Sequence, residues 1–184
     1  MILTPLTKLD AVNEICGAMG EAPVDTVDTI NAVRMLEAET RAIQVMGWTF
    51  NTIENYVMTP DDNTKRIHWD DTILSIQFSD KRIVRKRDEW LYDVTNNTDR
   101  FVSPLTAKVI QYVPFEEMPQ VFRQYITVRT AHHFVARYLG DPTIMQELQQ
   151  EEAQAYMQMM EAEITLEKSN VLMNPAVQNY MNRG

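Results

Sequence analysis

The sequence predicts an α+β fold, mainly α: a helical bundle with a small β-rich insert and an extended C-terminal arm. Apolar residues recur at helical spacing through the first 47 residues and again from Pro119 onward. Between these blocks the chain becomes aromatic and β-branched, and "TILSIQF" alternates apolar and polar residues as a half-buried strand does. The last residues, "SNVLMNPAVQNYMNRG", carry apolar side chains without a pattern that would fold alone. One domain results, with 1–47 and 114–168 as the bundle, 48–113 as the insert and 169–184 as the arm.

The first helix rests on Leu9, Val12, Ile15, Cys16 and Met19, with Gly20 as a stop and Pro23 beyond it. A second starts near Asp28 or Thr29, either of which can cap it. It turns Ile30, Val33, Leu36 and Ile43 inward and ends at Gly47. In the insert, "WTFNTIENYVM" is followed by the turn "TPDDNT". Leu74, Ile76 and Phe78 then face one way while Ser75 and Gln77 face the other. "RIVRKRDEWLYDV" and "AKVIQYV" are the remaining strand candidates, divided by "TNNTD" and Pro104. A third helix runs from Pro119 to Leu139, before Gly140 and Pro142. The last, from about Thr143 to Lys168, is polar and methionine-rich. Its Ala155, Met159, Ala162 and Leu166 have a spacing that packs against a neighbour.

A chain of 184 residues can bury a proper core, and its 45% apolar and 23% charged content is that of a globular protein. The net charge of −9 excludes a broad face that neutralises nucleic-acid phosphates. Cys16 is the only cysteine, so no intrachain disulfide forms. No secretion leader is expected, and no apolar run approaches the roughly 20 residues of a membrane span.

His132 and His133 lie on the apolar arc of the third helix, opposite Arg123, Thr127, Thr130 and Arg137. Adjacent helical positions diverge by about 100°, so the pair does not clasp one ion, and no H-E-x-x-H spacing is present. The expected role is structural, each imidazole hydrogen-bonded inside the fold or at a subunit contact. Carboxylate pairs occur at Asp61–Asp62, Asp70–Asp71, Glu116–Glu117 and Glu151–Glu152. Sequence adjacency alone does not create the cleft that glycoside hydrolysis needs. The chain has no nucleophile elbow, phosphate-binding glycine loop or C-x-x-C. No cofactor is expected.

One concentrated positive feature stands out: "KRIVRKR", containing Arg82, Arg85 and Arg87. On a strand, Arg82 and Lys86 face one way and Lys81, Arg85 and Arg87 the other. Such a cluster guards an edge strand or meets an acidic partner, such as the acidic helices of a neighbouring subunit. Arg82, Arg85 and Arg87 are therefore candidate partner-binding residues. Met157 and Met160 of the last helix and Leu172 and Tyr180 of the arm join them, as adaptable or apolar side chains suited to assembly.

The order "AVNEICGAMGEAPV" (11–24), "MGWTFN" (46–51), "TDRF" (98–101), "EEMPQVFRQYITVRTAHHFVARYLGD" (116–141) and "LQQEEAQAYM" (148–157) resembles tail tubular protein A. This is the adaptor or gatekeeper family of short-tailed, T7-like bacteriophages. The resemblance is collinear over nearly the whole chain and weakest over about 55–97. It implies a virion protein, made in the host cytoplasm, whose subunits form a twelvefold ring beneath the portal. The ring joins the portal protein to the nozzle, tail tubular protein B, near the tail fibre attachment. DNA passes through its lumen without specific binding. The resemblance also implies a structural protein rather than an enzyme; polysaccharide hydrolysis, proposed for some relatives, is the alternative. The arm after Ser169 is expected to become ordered on the portal or an adjacent subunit.

Overall fold

The computed structural model describes residues 6–25 and 30–173. Two compact units emerge: residues 44–113 form one, and the segments on either side of them form the other. The fold is mainly helical, with two small antiparallel sheets confined to the second unit.

In the helical unit, α1 spans Lys8–Gly17. Thr7 starts it with a reciprocal capping box: its hydroxyl accepts from the Asp10 N–H at 3.1 Å, and the Asp10 carboxylate accepts from the Thr7 N–H at 2.9 Å. Ala11, Val12, Ile15 and Cys16 form its fully buried stripe. Helix α2 spans Ile30–Gln44, so the expected caps at Asp28 and Thr29 lie outside the described residues. Its buried face runs through Ala32, Leu36, Thr40 and Ile43, and Val33 is only half-buried. Thr40 tolerates burial because its hydroxyl donates to the Leu36 carbonyl at 2.6 Å.

A single 3-10 turn, Phe115–Glu117, leads into α3, Gln120–Tyr138, which begins after Pro119 as expected. Gly140 takes φ +69 between α3 and α4, and the Asp141 carboxylate accepts from the Thr143 and Ile144 N–H groups at the start of α4, Pro142–Met173. Helix α4 therefore continues helically to Met173, into the segment expected to be an arm. Residues 174–184 lie outside the described residues.

Of the four residues on the polar arc of α3, Arg137 is exposed but the other three are covered. Arg123, Thr127 and Thr130 are buried, two of them completely. Helix α3 packs against both α1 and α4, so its polar positions are also covered. Thr127 and Thr130 donate to the Arg123 and Ile126 carbonyls at 2.8 and 2.6 Å, and Arg123 Nη1 reaches the Leu6 carbonyl at 2.7 Å. Phe122, Ile126, Val135 and Met159 are fully buried, and each contributes about 1.5–3 kcal/mol of burial free energy.

In the second unit, β1 (Thr52–Met58), β5 (Leu105–Gln111) and β2 (Ile73–Phe78) form a sheet in the order β1-β5-β2. Both edge strands pair antiparallel with β5, each with a register shift, near Ile53/Tyr56 and Ile73/Ser75. The stretch "RIVRKRDEWLYDV" is two strands rather than one: β3 (Val84–Arg87) and β4 (Trp90–Asp93) pair antiparallel across a two-residue turn. Asp88 occupies that turn at φ +58. Met58, Ile67, Phe78, Leu91, Phe101, Ala107 and Val109 form the core beneath both sheets.

Candidate interaction surfaces

Arg129, midway along α3, holds the most connected polar cluster of the helical unit. Its Nε donates to Glu39 of α2 at 2.8 Å, and its Nη1 donates to Glu152 of α4 at 3.1 Å and to the Tyr125 hydroxyl at 3.2 Å. The two histidines complete the cluster. His133 Nδ1 lies 2.7 Å from the other Glu39 oxygen, and His132 Nδ1 lies 2.7 Å from the other Glu152 oxygen. An ionised carboxylate only accepts, so each imidazole presents its Nδ1–H to a glutamate. Burial raises Glu39, but hydrogen bonds from Arg129 and His133 outweigh it and hold the carboxyl below its ordinary value of 4.5. Burial likewise opposes the charge on Arg129, and the hydrogen bond to Glu39 more than offsets it, raising that guanidinium. The histidines thus bridge α3 to α4 and to α2. Among the described residues, no group of three His, Cys, Asp or Glu is placed to hold a metal.

Several of the paired carboxylates have structural partners too. Asp61 accepts from the Asn63 and Thr64 N–H groups in a turn. Asp70 accepts from Thr72, Tyr56 and Gln111, while Asp71 pairs with Lys86. Two further carboxylates, Asp88 and Asp99, share an open cavity of about 530 Å³ with Trp90 and Tyr92. Asp99 is ion-paired with Arg66 at 2.7 Å.

The basic cluster divides by role. Arg82 lies just before β3, bound to Asp80 through two nitrogens, 3.6 Å from Asp93 and over the Phe78 ring. Arg85 and Arg87 lie on β3 opposite Tyr92 and Trp90. Their guanidinium carbons stand 5.5 and 4.9 Å from the Tyr92 ring centre, and both side chains are exposed. On α4, Met157 is 63% exposed and Met160 half-buried, whereas Met159 is fully buried. Tyr156, Ile164 and Leu166 add exposed apolar surface. An apolar notch of about 450 Å³ opens between the start of α3 and α4, walled by Val121, Phe122, Ala162 and Leu166. Leu172 belongs to α4, but its side chain, like all of Tyr180, lies outside the described residues.

A family model described as tail tubular protein matches residues 9–169, across both units. The chain belongs to the tail tubular protein family. It is also similar to tail tubular protein A of Klebsiella phage KP34, at 26% identity over 140 residues, covering 73% of this chain and 75% of that protein. In this family member the stretches that carried the resemblance build the fold. Gly47 of "MGWTFN" has φ +80, and an added Cβ would stand 2.7 Å from Ile110 Cδ1. Asn51 accepts from the Trp48 N–H at 2.8 Å and donates to the Gln44 and Gln111 carbonyls at 3.1 and 3.0 Å. In "EEMPQVFR", Met118, Phe122 and Arg123 are all buried. Gln44 is a site missed from sequence: its amide donates to the Val113 carbonyl at 2.9 Å and accepts from the Val113 N–H at 2.7 Å. A lone glutamine at the end of a helix gives no sign that its amide will close on a distant backbone.

Proposed function

We propose that this chain, a structural protein of a phage tail, forms the adaptor ring joining the portal to the tail nozzle and surrounding the DNA exit channel. The supporting observation is the family match, which spans the helical unit and the insert together. The surface chemistry agrees with an assembly role. Exposed Met157, Tyr156, Ile164 and Leu166 give α4 an adaptable apolar face. Exposed Arg85 and Arg87 on the insert offer charged contacts. A DNA channel wall works best when acidic or neutral, and the net charge is −9.

In this reading the subunits close into a twelvefold ring, with the nozzle protein and tail fibres below. Met157 and Met160 contribute to subunit or portal contacts. Leu172 and Tyr180 contribute apolar side chains to the contact with the portal or an adjacent subunit, and deletion of residues 170–184 is expected to impair ring formation or portal binding. Light scattering of the chain alone, then mixed with the portal ring of the same virus, tests the proposal. A fixed ring-like stoichiometry on the portal is expected. A stable monomer that ignores the portal overturns it.

A further inference from the structure

Arg85, Arg87 and Arg100 are three exposed arginines of one small region. Among the described residues, none has a carboxylate within ion-pair distance, whereas Arg66 and Arg82 beside them are each paired. Arg85 and Arg87 are both stacked on Tyr92. Stacking fixes a guanidinium in place and leaves its N–H donors free, so these groups are oriented ahead of contact. Arg87 and Arg100 line the same cavity of about 530 Å³, together with Arg66. Asp88 and Asp99 line it too, Asp99 being engaged by Arg66. Tyr92 is buried and Trp90 has Arg66 over its ring, so neither offers an open face for stacking a base or a sugar. The chemistry left to a ligand is oxyanion binding by guanidinium edges.

Matching acidity lies on the helical unit of the same chain. Outside residues 44–113 the sequence has 16 acidic and 8 basic residues, a net of −8, while 44–113 has 10 and 9, a net of −1. Glu147 and Glu151 are exposed one turn apart on α4. Glu14 of α1 lies within reach of the Glu151 charge: its carboxyl is raised chiefly because surrounding protein displaces its water, against the hydrogen bond from Gln124, and the Glu151 charge adds to the rise. Two carboxylates at i and i+4 on a helix stand about 5–6 Å apart at Cβ. Two arginines at i and i+2 on a strand stand about 6.6 Å apart. The spacings match.

We propose that the Arg85/Arg87 face of the β3–β4 hairpin, flanked by Arg100, docks the Glu147/Glu151 row of α4 from a second copy of this chain. The two patches differ, so the contact is heterologous and repeats head to tail, the kind that closes into a ring. The inference deepens the ring reading above and rests on it for the identity of the assembly.

A charge-swap experiment tests it, with circular dichroism confirming each variant's fold. One variant carries Arg85→Glu and Arg87→Glu, the other Glu147→Arg and Glu151→Arg. Each alone faces like charge with like, and its self-association, measured by sedimentation, is expected to fall about tenfold or more. An equimolar mixture of the two restores opposite charges at every contact and is expected to recover association. The recovery should weaken from about 0.05 M to about 0.5 M salt. A Lys65→Glu/Lys81→Glu control, equal in charge change, should associate as the parent does. The inference is overturned if the mixture behaves as the sum of its parts, or if the parent chain never self-associates. It is equally overturned if the arginine variant loses only portal binding, or only DNA retention. Portal binding by the unaltered chain is read separately, so a failed docking contact is distinguishable from a failed adaptor.

Discussion

At the scale of single residues, Gly47 shows why the "MGWTFN" stretch reads so specifically. Its φ of +80 disfavours any side chain, and the Ile110 side chain occupies the space a Cβ needs. Gly47→Ala is expected to cost about 1–3 kcal/mol by thermal unfolding, with Ile110→Val recovering the steric part but not the backbone part. The Arg129 cluster gives a second test. Arg129→Ala leaves Glu39 and Glu152 with histidine partners only, and a loss of about 2–3 kcal/mol in urea unfolding is expected. Glu39 also has a pH signature. Its folded value lies below its ordinary 4.5, so its contribution is fully present above that value and fades as pH falls through the lowered one. The stability gap between the parent and Glu39→Gln should narrow across that acid window and stay flat above it. The position of the histidine pair on the third helix was legible. The pair's glutamate partners were not, because Glu39 and Glu152 are 94 and 20 residues distant from their histidines.

At the scale of elements, α4 separates two kinds of methionine that sequence alone treats alike. Met159→Ala is expected to cost about 2–4 kcal/mol, because Met159 is fully buried. Met157→Ala should leave stability within about 0.5 kcal/mol, measured by the same unfolding curve. The helices were readable because their apolar residues keep one period over many turns and their ends carry Pro119, Gly140 and Pro142. The burial of three of the four polar-arc residues of α3 was not legible, because periodicity reports hydrophobicity and a central helix can cover threonines that bond to its own carbonyls. The β3–β4 hairpin was hidden for a different reason. Turns in this unit place Lys65, Lys81, Asp88 and Asn97 at positive φ, and none of the four is a glycine. A turn built from Asp88 and Glu89 looks like the middle of a charged strand.

At the scale of the whole molecule, charge is distributed more tellingly than its total indicates. The −8 outside residues 44–113 and the near neutrality within them leave no broad cationic face for a duplex. In a mobility-shift assay at about 0.15 M salt, no retardation of double-stranded DNA is expected. Fold class was legible at this scale, and the chain divides into its two units at 43–44 and 113–114. The extent of α4 was not, because Ser169–Met173 has the composition of a tail and still continues the helix. The proposed partner surfaces carry no sequence motif, since exposed arginines and methionines become an interface only through what sits opposite them.

The hydrogen bonds of Gln44 and Asn51 have an evolutionary consequence. Gln44 grips Val113, and Asn51 grips both Gln44 and Gln111, so the two chain ends of the insert are fastened to each other at its neck. Whatever lies between them is released from the task of holding that neck shut. Hairpins there can lengthen, shrink or change charge in descent without disturbing the fastening. The segment where the family resemblance is faintest, about 55–97, lies wholly inside this clasp. Tail proteins that must keep pace with changing neighbours would inherit the clasp and rewrite what it encloses.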